Sequence, residues 1–162
     1  LIVSGAITIL LTWLHYVFVS DLLKLASFLS FFCFNMFITV FMIRHIARSQ
    51  QVTLTIIINS INGYLLIGVL GAVLLAMMEI VQKFIFHIDT VAINFAGNTA
   101  VGFHDYLYFS FVTLTTLGYG DITPVSAFAK SLTIVIAISG QLYLTILIAM
   151  LVGKYLSSTQ TD

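Results

Sequence analysis

Four apolar runs, Leu1 to about Ser20, Leu22 to Ile43, Val52 to about Val81 and Val125 to Tyr155, make up most of this 162-residue chain. Each has the length of roughly 20 residues that a helix needs to cross a hydrocarbon core about 30 Å thick. Inside that core every backbone amide and carbonyl must be satisfied by the protein itself, so each run is read as a membrane-spanning helix. Composition agrees. The chain is 60% hydrophobic and 7% charged, with mean hydropathy +1.14, whereas about a quarter of the residues of a soluble domain are charged. Six Lys plus Arg balance six Asp plus Glu without a basic block, which leaves no electrostatic footprint for nucleic acid. The lone Cys33 excludes an intrachain disulfide.

The first run lacks the basic leading segment and small-residue cleavage site of a signal peptide, so it is read as a span. The break Ser20-Asp21-Leu22-Leu23-Lys24 is short, and the second run therefore returns beside the first as a helical hairpin, residues 1–49. Arg44 to Gln51 is the clearest polar interruption. Beyond it, Gly63, Gly68 and Gly71 in the third run suit close helix approach, because small residues let backbones touch in lipid. Residues 82–102 are too polar to span, with Lys83, His87, Asp89, Asn94 and Asn98 among them. Asp105 then suits the start of a short helix, where its carboxylate would accept otherwise unpaired amides.

Between that helix and the last run stands Thr115-Thr116-Leu117-Gly118-Tyr119-Gly120-Asp121. Two glycines permit backbone conformations closed to residues with a Cβ, so successive carbonyls can turn toward one axis and replace the water around a cation. The seven residues, with Ile122-Thr123-Pro124 after them, resemble the filter and outer-mouth turn of the potassium-channel superfamily. The resemblance is specific over about Asp105 to Pro124 and extends through the last run; the first hairpin resembles nothing nameable.

That resemblance implies an all-α membrane protein: four transmembrane helices, a re-entrant pore helix and filter loop between the third and fourth, and assembly as a tetramer. Residues 50–157 would form the pore domain, with an outer helix over 50–82, a turret over 83–104, a pore helix over 105–115, the filter over 116–121 and an inner helix over 125–155. Residues 158–162 are a tail. Thr116, Leu117, Gly118, Tyr119 and Gly120 would conduct, with K+ held at Thr116 to Tyr119, and Asp121 would shape the outer mouth. Leu117 departs from the commoner valine, and Val112 stands where some relatives carry a glutamate that could hold Asp121. Tyr108 and Phe109 occupy positions where many relatives have tryptophan. They either brace Tyr119 or anchor at the interface. Glu79 either accepts hydrogen bonds from the pore loop or reaches water as an interfacial acid. Gly140 is either the inner-helix hinge or a packing glycine. Helical spacing groups Gln141, Thr145, Ile148 and Val152 as one stripe facing a cavity or gate.

A single filter strand supplies one wall of an ion path, so three identical subunits and the lipid bilayer are the expected partners. No cofactor is expected beyond K+ as permeant ion. Filters of this superfamily open outward, which implies a plasma-membrane protein with both termini cytoplasmic; by Lys and Arg counts the positive-inside rule is tied. A cytosolic regulatory domain or ligand outside this chain is compatible with the resemblance. Arg44 and Arg48 are too few and too near a helix end for a voltage sensor. His15, His45, His87 and His104 lie at depths that do not pair for haem ligation. No nucleophile and base share a spacing, so no enzyme is expected. A cation channel of relaxed selectivity is the nearest alternative.

Overall fold

The computed structural model describes residues 2–17, 21–49, 53–84, 87, 91–95 and 101–159. Within them the order is α1 (Ile2–Val17), α2 (Asp21–Arg48), α3 (Leu54–Phe84), β1 (Ile93–Asn94), α4 (Phe103–Leu114), β2 (Thr123–Pro124) and α5 (Ala127–Thr159). Among the described residues the protein is thus helical apart from one two-residue antiparallel ladder, Ile93 opposite Pro124 and Asn94 opposite Thr123.

Among the described residues three helices, α2, α3 and α5, are long and apolar enough to cross a membrane. The 16 residues of α1 extend about 24 Å, short of a core about 30 Å thick. Leu1 and residues 18–20, which complete the first span as read from sequence, lie outside the described residues. The 12 residues of α4 reach only about 18 Å, so α4 is no span at all.

Element ends move where hydrogen bonding outweighs apolarity. The second helix runs past Ile43 to Arg48, with His45 and Arg48 in its last turn. The last helix starts at Ala127 rather than Val125, because the amides of Val125 and Ser126 bond to the Ala92 carbonyl at 2.9 and 3.1 Å. Ser126 then caps it, accepting from the Ala129 amide at 3.1 Å. Asp105 does not open α4. Extended Gly102, at φ −113° and ψ 173°, is the N-cap, and Asp105 in the first turn reaches back to accept from the Gly102 amide at 2.8 Å. Of the expected turret, residues 85–86, 88–90 and 96–100 lie outside the described residues, as do tail residues 160–162.

Leu75, Ala92, Ile93, Phe109, Leu114, Ala129 and Ile136 form the core, where α3, α4, α5 and the ladder meet. Lipid tails are as apolar as leucine, so such a core is held by close packing rather than by water exclusion. The α3 glycines show how. A Cβ on Gly68 would strike the Phe111 ring, and one on Gly71 would strike the Ser110 hydroxyl. Ser110, fully buried, uses that proximity to donate to the Gly68 carbonyl at 2.7 Å. The hairpin has its own polar seam, where the Thr8 and Ser30 hydroxyls share a hydrogen bond of 3.1 Å.

Candidate functional site

Leu114 ends α4, and Thr115 closes its last turn by donating its amide to the Phe111 carbonyl at 2.9 Å. Beyond it the backbone alternates. Thr116, Gly118 and Gly120 have φ of 61°, 57° and 81°, so every second residue is left-handed. Alternation of hand turns carbonyls that would ordinarily point to opposite sides toward one side. The amides point back to α4 instead: Thr116 donates to Thr113 at 3.0 Å, and Leu117 and Gly118 donate to Val112 at 3.0 and 3.3 Å. The carbonyls of residues 116–120 are thus left without donors among the described residues.

For Gly118 and Gly120 the demand is conformational, since a Cβ on either would meet nothing within 4 Å. Thr116 carries the same hand with a side chain, at a cost of about 1–2 kcal/mol. All residues from Thr115 to Asp121 are exposed, although α4 behind them is buried from Phe109 to Leu114 apart from half-buried Phe111.

Asp121 is held at two points. Its Oδ2 accepts from the Tyr108 hydroxyl at 2.6 Å, and its Oδ1 accepts from the Ile122 amide at 3.0 Å. The Tyr108 bond is the main cause that keeps the carboxyl below its ordinary 3.8, and the same bond pushes the phenol up to about 12. The tie is therefore complete from above 3.8, where the carboxylate is charged, up to 10.0, and is lost as pH rises through about 12. On the acid side it is lost as pH falls through the depressed carboxyl value. Tyr108→Phe removes the donor, so the Asp121 midpoint, followed by its carboxylate infrared band, should move to higher pH. An unmoved midpoint would mean that the hydroxyl does not hold the acid.

The sequence alone did not reveal this tie: it shows no carboxylate at Val112 and leaves Tyr108 between bracing Tyr119 and anchoring at the interface. The usable signal was a phenol on the helix preceding a loop that ends in a carboxylate. Phe109, 5% exposed, points into the core, while Tyr119 is 67% exposed. In the single chain the Tyr119 ring is thus mostly uncovered.

Glu79 sits near the end of α3. One carboxylate oxygen accepts from the Tyr106 hydroxyl on α4, and the other accepts from Lys83 at 3.2 Å. Its described partners are side chains, one on α4 and one on its own helix, rather than backbone amides of the loop. The Tyr106 ring is further fixed edge-on against Phe95, with centroids 5.3 Å apart.

Gly140 lies inside uninterrupted α5, and a Cβ there would collide with the Leu114 carbonyl and approach Leu114 Cδ1 to 2.9 Å. That carbonyl also accepts from the Tyr64 hydroxyl at 3.3 Å. Gly140 is thus where α5 touches the end of α4. Gln141, Thr145, Ile148 and Val152 are all exposed on α5, whereas Met150 turns toward α2 and lines a cavity with Ile43 and Ile46.

A loop of alternating hand carried on a short helix between two long apolar ones suits a membrane channel. Residues 52–157 match the family model described as ion channel. The chain therefore belongs to the ion channel family, and this match together with a curated relative supports the resemblance to the potassium-channel superfamily. Among curated proteins, Two-pore potassium channel 4 of Arabidopsis thaliana is 42% identical over 64 residues, 40% of this chain and 22% of that protein. The chain spans less than a quarter of the length of that relative. No solved structure matches.

Proposed function

We propose that four copies of this chain surround one axis and conduct potassium passively through the carbonyls of Thr116 to Gly120. The observation that carries this reading is the alternating hand at Thr116, Gly118 and Gly120. Four such rows would replace a hydration shell with rings of carbonyl oxygen. The potassium-channel name of the Arabidopsis relative supports the choice of ion.

Assembly follows from exposure. Residues 115–121 are uncovered in the single chain, and irregular backbone at membrane depth persists only when protein buries it or water bathes it. Further copies supply both. In this reading α1 is a fourth span and α4 enters the membrane and turns back. The C-terminal end of α4 aims its partial negative charge at the ion. Asp121, tied by Tyr108, sets the charge of the outer mouth. Glu79 steadies α4 through Tyr106. The exposed stripe of Gln141, Thr145, Ile148 and Val152 lines the inner cavity, and α5 gates. The outer mouth faces the exterior of the plasma membrane, with both termini cytoplasmic, and no catalytic group or cofactor is required.

The test is a reversal potential. Purified chain in planar bilayers under opposing potassium and sodium gradients should reverse near the potassium equilibrium value and be blocked by barium. Reversal midway between the two ions would mean a cation channel of relaxed selectivity.

A further inference from the structure

An α-helix leaves its last four carbonyls without intrahelical donors. In α2, which ends at Arg48, the Ser49 amide takes the His45 carbonyl at 3.2 Å. The next two are taken from another helix. The Lys154 ammonium, on α5, donates to the carbonyls of Ile46 and Ala47 at 3.0 and 3.2 Å. A cation over these carbonyls also meets the negative end of the α2 dipole. Arg44, His45 and Arg48 face outward and exposed, which leaves this position to Lys154.

The seam beside this cap is loosely filled. A cavity of 170 Å³ is lined by Ile43 and Ile46 of α2 and by Tyr143, Ile146, Leu147 and Met150 of α5. Missing contacts forfeit dispersion energy, so the two helices can part there at low cost once the cap is released. At its opposite end α2 touches the start of α4, where the Phe28 and Phe103 rings lie 6.2 Å apart. One helix of the hairpin thus contacts both α4 and the far end of α5.

We infer that the α1–α2 hairpin is a gating element, with Lys154 as the tether that holds the end of α5 away from the pore axis and favours the conducting state. The inference rests on the channel reading, in which α5 lines the axis. The hairpin packs against α3 through α2, and in this inference it holds α5 outward. Convergence of the α5 ends, which would close the pore, requires the cap to break.

Single-channel recording of the purified full chain tests it, with Lys154→Met, Lys154→Arg and Lys130→Met beside the parent. Methionine keeps the apolar stem and removes the donors. It should lower open probability at least about tenfold, equivalent to about 1.4 kcal/mol, with the reversal potential unchanged. Arginine, which keeps donors and charge, should restore the parent value, and Lys130→Met, an exposed cation at the other end of α5, should match the parent. An unchanged or raised open probability in Lys154→Met overturns the tether while leaving the channel reading intact. A parent that fails to reverse near the potassium value overturns the channel reading instead. If Lys154→Met is silent but elutes as the parent assembly, spin labels at Arg48→Cys and Leu156→Cys in a Cys33→Ser background decide. A longer distance than in the parent supports the tether, and an equal distance overturns it.

Discussion

Alanine at Gly118 is expected to abolish potassium-selective current while leaving helix content unchanged. Space is not the obstacle, because a Cβ there meets nothing within 4 Å. The obstacle is φ at 57°, where a residue with a Cβ costs about 1–2 kcal/mol. In the proposed tetramer the sum is about 4–8 kcal/mol, and each 1.4 kcal/mol is a factor of about ten. The conducting arrangement would fall at least about a thousandfold in population. Gly153→Ala is the control, since its Cβ also meets nothing within 4 Å but its backbone is ordinary helix. That variant should conduct like the parent. Potassium-selective current from Gly118→Ala above about a tenth of the parent value would show that left-handed backbone at this position is dispensable.

Why left-handed backbone was legible at Gly118 and Gly120 but not at Thr116 follows from the same chemistry. Glycine announces a left-handed conformation, whereas a threonine held at φ 61° is fixed by its neighbours and by amide bonds back to α4. Three of the four expected spans were legible because apolarity sustained for over twenty residues has few other uses. Their ends were not, because capping and the ladder decide them: Ala92, far from Val125 in sequence, takes the amides that a longer α5 would have used. The two-residue ladder of Ile93–Asn94 with Thr123–Pro124 is too short to leave a period in the sequence. Side-chain ties across elements were the least legible. Tyr108 fits interfacial anchoring as well as it fits Asp121, and Lys154 looks like any basic residue near the end of a span. Such assignments need the fold, because the partners are brought together only by packing.

Gly140→Ala should destabilise the assembly and remove most of its current. In an ordinary helix interior the same change stabilises by about 0.4–1 kcal/mol, through loss of unfolded-state freedom. Here the added carbon would land on the Leu114 carbonyl. Overpacking of that kind costs about 1–3 kcal/mol, and the upper end applies where the neighbour is backbone and cannot rotate aside. Leu114 is fully buried, and its carbonyl already serves the Tyr64 hydroxyl, so the end of α4 has no room to retreat. Relief must come from α5 moving away, which disturbs the helix end from which residues 115–121 hang. A lower melting temperature of the detergent-solubilised assembly, with loss of current, is the expected pair of results. Leu114→Ala should rescue little, because truncating that side chain leaves the obstructing carbonyl in place. A variant with parental stability and selectivity but altered open probability would show instead that Gly140 acts as a hinge, and that α4 and α5 separate there during gating.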